Sequence, residues 1–436
     1  MPRRYSEVSR AIVTKPEPGK EQRRHGPPAA ATARTGKFRQ RQEEIVRSAV
    51  DVINHKGVKG MTLAGVAASL DIVPTGIIYY FANKELLAAE CFLRAIDAYN
   101  QLIGEAAGGS TPRARLRVFV ERYFEFRRQV ASGATSPIAF FNDVRALGDP
   151  RVNEAYTDMF RRARALFEPL AMPDADRPAL NAHTHHVLSQ LYWAVAWLPQ
   201  YDPDDYGRAG DRVGDILERG VHSAGQAWRP KPLSLPQAEA TEEASRQTFL
   251  RAATELINEQ GYLGASVEKI SARLNVTKGS FYHHHETKDD LVVACFERTV
   301  DIMRSAQRAA DRLPVSGWDR LCSTSAALVE LQVSGGAPLL RTSALTSVPE
   351  AIRAQLITKF NRVSGYFAAM ISDGIADGSI RPIDASICAQ MITGMLNAAA
   401  ELRFWAPGLA ATEAGGVFLQ PLFQGLGAGP QPARPG

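Results

Sequence analysis

The sequence predicts an all-α protein built from two tandem copies of one unit. Apolar residues recur at helical spacing through most of the chain, and runs of alternating apolar and polar residues between turn pairs do not occur. A stretch of about 60 residues also occurs twice, 204 residues apart and without a gap. Identical pairs in the two copies include Gly57/Gly261, Ala68/Ala272, Lys84/Lys288 and Cys91/Cys295.

The composition is that of a soluble globular protein with two to four domains: 436 residues, 45% apolar and 22% charged. The longest apolar run, 188–198, is too short to cross a bilayer, and no apolar segment follows the basic N-terminus as in a secretory signal. We therefore expect a cytoplasmic protein with no membrane partner. The four cysteines form no Cys-x-x-Cys pair, which favours reduced, buried thiols over disulfides or a zinc site.

Positive charge is concentrated at the start of the chain. Residues 1–42 hold eleven Lys or Arg and three Glu, a net charge of +8, whereas the remainder carries −3. Five prolines lie in the same segment, so we expect residues 1–36 to be a disordered basic arm. Such an arm can lie along DNA phosphates or enter a minor groove, or it can be a solubilising tail, and the sequence favours neither.

The first module is predicted to contain three short helices. Helix 1 runs from about 38 to 55, and Gly57 stops it in a left-handed conformation. Thr62 caps helix 2, Asp71 forms a tight turn that tolerates positive φ, and Pro74 opens helix 3 at its first position. Two helices joined by such a turn predict a helix-turn-helix.

The second module follows the same plan. Gly261 ends helix 1, Ser266 caps helix 2, Asn275 forms the turn and 277–284 forms helix 3. Thr287 then opens the next helix, with acidic residues two and three positions later. A short polar helix between two longer ones fits a helix that enters the major groove of DNA.

Helical segments without a further repeat follow each module, and a stretch with three prolines separates the halves as a stiff spacer. The predicted organisation is an arm (1–36), a first module (37–98), a first helical body (99–227), a linker (228–243), a second module (244–303), a second helical body (304–427) and a tail (428–436).

The sequences VTKGSFYHHHETKDDL (276–291) and IVPTGIIYYFANKELL (72–87) resemble the helix-turn-helix of TetR/AcrR-type transcriptional regulators. The specific resemblance covers about 60 residues at each site, and beyond that only helix pattern and length. It implies operator binding by two-fold dimers, an apolar effector pocket and a four-helix dimer interface in the C-terminal helices. With both modules on one chain, it implies a tandem member whose helix pairs near 179–226 and 385–426 pack together as a pseudo-dimer.

The resemblance also implies which side chains face DNA. These are Thr62, Pro74, Thr75, Ile77, Tyr79, Tyr80 and Lys84 in the first module, and Ser266, Thr277, Lys278, Gly279, Tyr282, His283 and Lys288 in the second. Each lysine stands at the start of a helix, where it would anchor a phosphate. For the aromatic residues a place in the core is the other interpretation, which we favour for Phe81 but not for Tyr79 or Tyr80.

The first module departs from the common form of the motif, with Thr75 where the second has Gly279 and Ile78 where it has Tyr282, so the two modules should read different half-sites. Since a palindromic operator mirrors identical modules, we expect an imperfect palindrome. Loss of sequence-specific binding by one module stays open.

Aromatic residues of the first body form either an apolar effector pocket or an ordinary core, and helical spacing does not separate the two. The candidates are Tyr123, Phe124, Phe140, Tyr156, Phe160, Tyr192 and Trp193. We expect no metal and no cofactor. A second group of histidines is His183, His185 and His186. His183 and His186 share a helix face, but no clear third ligand is visible, which favours hydrogen bonding at an interface or pocket over a metal.

These features favour a repressor that binds double-stranded operator DNA, is released by a small apolar effector, and acts as a monomeric pseudo-dimer or a homodimer. A nucleic-acid-binding architectural protein without sequence preference is the alternative. A helical enzyme is disfavoured, because the chain contains no P-loop, nucleophile elbow, dinucleotide fingerprint or metal pair.

Overall fold

A computed structural model of the chain describes residues 29–170, 175–234, 241–275, 287–335, 338–341, 348 and 350–426. Within those ranges the regular secondary structure is helical, which confirms the predicted all-α class. The α-helices are α1 Ala29–Gly60, α2 Leu63–Ser69, α3 Pro74–Ile78, α4 Lys84–Ala107, α5 Pro112–Ala131, α6 Pro150–Phe167, α7 Arg177–Trp197, α8 Tyr206–Arg219, α9 Thr241–Gly264, α10 Val267–Leu274, α11 Lys288–Asp311, α12 Gly317–Val333, α13 Glu350–Ala376, α14 Ala385–Ala398, α15 Leu402–Trp405, α16 Ala411–Ala414 and α17 Gln420–Gln424. A π-helical stretch, Gly415–Leu419, joins the last two into one C-terminal segment.

The first helix of each module is broken at the same place. Gly57 has φ 69° and ψ 169°, and Gly261 has φ 71° and ψ 168°, a backbone region that only glycine adopts readily. The predicted positive φ is correct, although each helix resumes for one more turn after its glycine. The predicted arm was too long, because α1 already begins at Ala29; residues 1–28 lie outside the described part.

Each half buries an apolar core among its own helices. In the first half α5 packs against α4 and α8, and in the second half α12 packs against α11 and α13. All four cysteines are buried free thiols, as predicted. Among the described helices, we find none that combines the length and the apolar character needed to span a bilayer.

The two halves pack on each other through the helix pairs that the resemblance singled out. Helix α7 lies against α14 and the π-helical stretch, and α8 lies against α14 and α17. Helices α7 and α14 approach closely at Gly394, where an added Cβ would lie 2.7 Å from two ring carbons of Trp193. A four-helix interface of the kind expected between two subunits therefore lies within one chain.

Buried histidines of α7 hydrogen-bond across this interface. His185 Nε2 donates to the carbonyl of Ala398 at 2.9 Å, and His186 Nδ1 donates to the carbonyl of Phe418 at 3.0 Å. Burial lowers the pKa of His186 to about 3, so its ring is neutral at pH 7. The predicted interface role of the α7 histidines is confirmed for these two. They fix the register of α7 because a slip would leave the polar atoms unpaired.

The far end of the interface is nearly symmetric. The amide of Val221 donates to the carbonyl of Phe423 at 2.9 Å, and the amide of Leu426 donates to the carbonyl of Leu217 at 2.8 Å. The two chain segments touch at Gly220, where an added Cβ would lie 2.4 Å from the facing backbone. Backbone hydrogen bonds therefore tie the end of each half to the other.

The linker lies on the second body over the part that the structure describes, 228–234. The ring of Trp228 packs edge-on against Phe423 with centroids 5.0 Å apart, and the amide of Lys231 donates to Ser323 Oγ at 2.8 Å. Helix α9 begins at Thr241 and so includes the last three residues of the predicted linker. The described part of the linker is thus docked along its length.

Two glycines in helix interiors allow a matched test of the interface. An alanine at Gly394 would meet the inner atoms of the Trp193 ring, whereas an added Cβ at Gly365 has no neighbour within 4 Å. Gly394→Ala should lower the free energy of unfolding by about 1–3 kcal/mol, and Gly365→Ala should raise it by up to about 1 kcal/mol. Urea denaturation measures both, and equal effects would contradict the tight contact at Gly394.

Candidate nucleic-acid interface and shared cavity

The first module forms the predicted helix-turn-helix. Thr62 Oγ1 accepts a hydrogen bond from the amide of Gly65 at 3.0 Å and caps α2. Asp71 has φ 54° in the turn, and Pro74 stands at the first position of α3. Each of these local roles is as predicted.

Large side chains project from α3 and its two ends into solvent. Tyr79 is 75% exposed, Val73 66% and Ile78 50%, and Pro74 and Thr75 are exposed between them. So much exposed apolar surface on one short helix is typical of a binding surface. We call these five residues the α3 surface.

Ile77 was predicted to face DNA, and that prediction is wrong. Its side chain is fully buried, and Phe81 is buried as predicted. A helix of little more than one turn attaches to its domain through at least one inward side chain, and here Ile77 has that role. The repeat contained this signal, since the matching position in the second copy is the apolar Phe281.

Val73 and Ile78 belong to the α3 surface but were not predicted as site residues. Both are apolar, and apolar residues are ordinarily assigned to a core. The pairing of Ile78 with Tyr282 in the repeat was the available signal, because a tyrosine and an isoleucine at one position suit a half-solvated site better than a core.

In the second module the structure describes the residues on either side of the predicted helix 3 (277–284). Ser266 caps α10, Asn275 has φ 53° in the turn, and Thr287 forms a capping box with Asp290 at the start of α11. These three roles are as predicted. Five predicted DNA-facing residues lie outside the described residues: Thr277, Lys278, Gly279, Tyr282 and His283.

The two predicted phosphate anchors occupy equivalent positions at helix N-termini. Lys84 and Lys288 are each half-buried at the start of α4 and α11. Lys84 Nζ lies 3.5 Å from the carbonyl of Met61. Burial lowers the pKa of the Lys288 ammonium. Tyr80, the remaining candidate, is partly buried and packs edge-on against Tyr79.

The modules touch where their first helices end. The side chain of Lys59 in the first module lies against Gly264 in the second, and a Cβ added to Gly264 would be 2.6 Å from Lys59 Nζ. The two modules therefore lie next to each other at this point.

An asparagine near the end of each first helix clamps its module to its own body. Asn54 donates to the carbonyl of Ile138 at 3.0 Å and accepts from the amide of Phe140 at 2.9 Å. Asn258, the matching residue, donates to the carbonyl of Leu339 and accepts from the amide of Arg341, both at 2.9 Å. We call these two contacts the asparagine clamps.

Both clamped loops lead to a cavity of about 100 Å³ between the two halves. Its lining consists of Phe141, Val144, Arg145, Tyr156, His185, Ser189, Tyr192 and Trp193 from the first half and Arg341, Gly394, Asn397, Ala398, Glu401 and Trp405 from the second. We call it the shared cavity. Arg341 is also an asparagine-clamp residue, and Phe141 is next in sequence to the clamped Phe140.

The predicted pocket aromatics divide into three groups. Tyr156, Tyr192 and Trp193 line the shared cavity, and Phe160 lies behind it, stacked on the lining Trp405 with ring centroids 3.7 Å apart. Phe140 lines a separate space of about 10 Å³. Tyr123 borders that space too, and Phe124 is fully buried in the core. The cavity does not lie inside the first body alone, since six of its fourteen lining residues come from the second.

Glu401 is the buried charged centre of the shared cavity. Its carboxylate forms an ion pair with Arg341 at 2.6 Å and another with Arg145 at 3.5 Å. Burial by itself raises the pKa of this carboxyl, but the positive charges of the neighbouring arginines, Arg341 above all, outweigh burial and hold the pKa below its ordinary value. Glu401 is therefore ionised at neutral pH.

Comparison with known families identifies both modules and the second body. The family of bacterial regulatory proteins, tetR family, matches residues 45–91 and again 249–295, and the tetracyclin repressor-like C-terminal domain matches residues 315–401. The prediction of two such DNA-binding units in tandem is confirmed. These are domains of DNA-binding regulators and not of enzymes.

Individual relatives match one unit at a time. The Transposon Tn10 TetC protein of Escherichia coli is 24% identical over 152 residues, covering 35% of this chain and 76% of its own. The HTH-type transcriptional repressor DhaR of Mycobacterium sp. (strain GP1) is 29% identical over 138 residues, covering 31% and 70%. Among solved structures, the TetR family transcriptional regulator PfmR from Thermus thermophilus is 20% identical, covers 41% of this chain and 98% of its own, and has a TM-score of 0.35.

Adjacent isoleucines test the assignment of inner and outer faces of α3. Ile77→Ala should lower the free energy of unfolding by about 2–5 kcal/mol because it removes fully buried methyl groups. Ile78→Ala should change it by no more than about 0.5 kcal/mol. Chemical denaturation followed by circular dichroism measures both. Similar losses for the two variants would show that this account of α3 is wrong.

Proposed function

We propose that this chain, a tandem TetR-type regulator with two DNA-binding modules in one polypeptide, is a sequence-specific repressor that binds its operator as a single-chain pseudo-dimer. One observation carries the proposal. The four helices α7, α8, α14 and the C-terminal segment form within the chain an interface that would otherwise join two subunits. A monomer therefore has both modules that an operator with two half-sites requires.

In this proposal the α3 surface enters the major groove. Val73 and Ile78 are suited to apolar contact with thymine methyl groups, and Tyr79 to a base edge or a phosphate. Lys84 and Lys288 lie at helix N-termini, where the backbone amides and the ammonium both favour a phosphate. Thr62 and Ser266 cap the supporting helices close to the DNA backbone.

The two half-sites should differ. Where the first module has Thr75, Ile78 and Tyr79, the second has Gly279, Tyr282 and His283. An isoleucine offers only apolar contact, whereas tyrosine and histidine also offer hydrogen bonds. We therefore propose an operator of two unequal halves.

Repression and its release are proposed from two observations. DhaR, one of the relatives, is a transcriptional repressor by name. The shared cavity is lined by rings and joined to both modules through the asparagine clamps. We propose a small effector with an apolar part that binds more tightly to one arrangement of the two halves than to another. Its binding would then favour one arrangement of the modules and so change the affinity for DNA.

Selection of bound fragments from the DNA upstream of the protein's own gene, followed by footprinting, tests the proposal. A protected site with two unequal halves supports it. The alternative is an architectural protein without sequence preference. Equal affinity for the selected fragment and for random DNA, with the same salt dependence, would favour that alternative and contradict the repressor.

Tyr79→Ala tests the α3 surface directly. We expect it to weaken binding to the selected fragment by about 10-fold or more, since one specific base contact is worth about 1–3 kcal/mol. Ile357→Ala is the matched control, because Ile357 is also a large exposed side chain, at 45%, but lies on α13. Fluorescence anisotropy measures affinity, and thermal melts check folding. Equal affinities of the two folded variants would remove Tyr79 from the interface.

A further inference from the structure

We propose that the shared cavity binds a small organic carboxylate, whose charged group pairs with Arg341 and Arg145 and whose apolar part lies among the surrounding rings. This inference deepens the proposed function by naming the chemical class of its effector. Binding to the cavity itself does not depend on DNA.

The charges that line the cavity do not cancel. Two guanidinium groups, Arg341 and Arg145, face one carboxylate, Glu401. Burial lowers the pKa of His185, which leaves that ring neutral at pH 7. Arg403 lies near Glu401 as well and has its own acidic neighbour, Glu259, at 4.0 Å. The lining thus carries a net positive charge, which a bound anion would neutralise. Arg341, whose side chain is 19% exposed against 42% for Arg145, is the less solvated of the two guanidinium groups.

The arginines also have unused donors for a carboxylate. A guanidinium has five N–H donors in a planar fork, and the ion pair with Glu401 joins one nitrogen of Arg341 to one oxygen. Paired donors of this kind match the two oxygens of a carboxylate. A cation would instead meet two positive charges, and a neutral ligand would leave the excess charge in place.

A further buried donor lies in the same wall. Trp193 lines the cavity, and its indole Nε1 is buried with no hydrogen-bond acceptor among the residues that the structure describes. A buried donor without an acceptor is costly, and a ligand oxygen in the cavity would provide one. The rings of Phe141, Tyr156 and Trp405 complete an apolar surface of the kind that surrounds most small ligands.

The cavity lining is connected to both modules through the asparagine clamps. The side chain of Arg341 would hold the ligand, while its backbone amide donates to Asn258 of the second module. In the first half Phe141 lines the cavity, and the preceding amide, of Phe140, donates to Asn54. A ligand that moves either loop would move the first helix of a module. This part of the inference rests on the proposed function.

Ligand binding is tested on the full-length protein without DNA. The protein is titrated with butyrate, hexanoate and phenylacetate and, separately, with the uncharged amide of each acid. Ligand concentrations reach about 10 mM, so that a ligand with a binding free energy of only a few kcal/mol is still detected. Intrinsic fluorescence reports binding because Trp193 and Trp405 line the cavity. We expect at least one acid to give a saturable change with at least about 10-fold higher affinity than its amide, as expected for a charge-assisted pair.

Variants assign the signal to the cavity. The double variant R341Q/E401Q removes both members of the closest ion pair. Arg145 loses its contact with Glu401, but its side chain is 42% exposed, so its charge stays solvated. It should remain folded in thermal melts and lose at least about 10-fold in affinity for the acid. Arg162→Gln, on an exposed position of α6, is the control and should bind as the parent protein does.

Three results would overturn the inference: no saturable change with any of the acids, equal affinity for an acid and its amide, or unchanged affinity in folded R341Q/E401Q. None of them bears on DNA binding, which the operator selection measures separately. Conversely, a protein that binds the acid but no specific DNA would keep the cavity assignment and lose the proposed function.

Discussion

The packing of α7 and α8 on α14 and the C-terminal segment is the contact on which the rest of the molecule depends. It holds the two halves in one arrangement through apolar contact, through the hydrogen bonds of His185 and His186, and through ion pairs such as Arg381 with Asp215 at 2.6 Å. Because the partners are on one chain, their association does not depend on protein concentration. A separate dimer would pay an association cost that this chain does not.

A second consequence of the intrachain interface is that its two sides are free to differ. The asparagine clamps keep the same backbone geometry in both halves, yet the clamped residue is Phe140 in one and Arg341 in the other. Phe140 borders a small space that Arg127 also lines, whereas Arg341 lines the shared cavity. Two identical subunits would have to place the same side chain at both positions. The two halves thus give the shared cavity an asymmetric lining, which two identical subunits related by a two-fold axis could not.

Local features of the fold were predictable because their causes lie within a few residues. Thr62 caps a helix, Asp71 and Asn275 take positive φ, and Thr287 forms a capping box, all from chemistry that acts over three or four positions. The repeat made these predictions stronger, since the same roles occur in both copies. The burial of Ile77 was missed because α3 is only five residues long, and so few residues do not show from the sequence alone which side chain faces the core and which faces outward.

The shared cavity could not be predicted, because no local pattern brings its walls together. Glu401 pairs with Arg145, which lies in the other half of the chain, and the ring of Trp405 stacks on Phe160. Such pairs depend on how the halves pack, which the helical spacing of aromatic residues does not encode. Aromatic residues of the first body were candidates for a pocket, but the sequence did not reveal that the second body completes the wall.

The mass of the complex with operator DNA tests the central claim most directly. Analytical ultracentrifugation or mass photometry would measure it at nanomolar protein, with a duplex that contains both half-sites. This account predicts one 47.5 kDa chain on each duplex, with both half-sites protected. Two chains on each duplex, or a single chain that protects only one half-site, would contradict it.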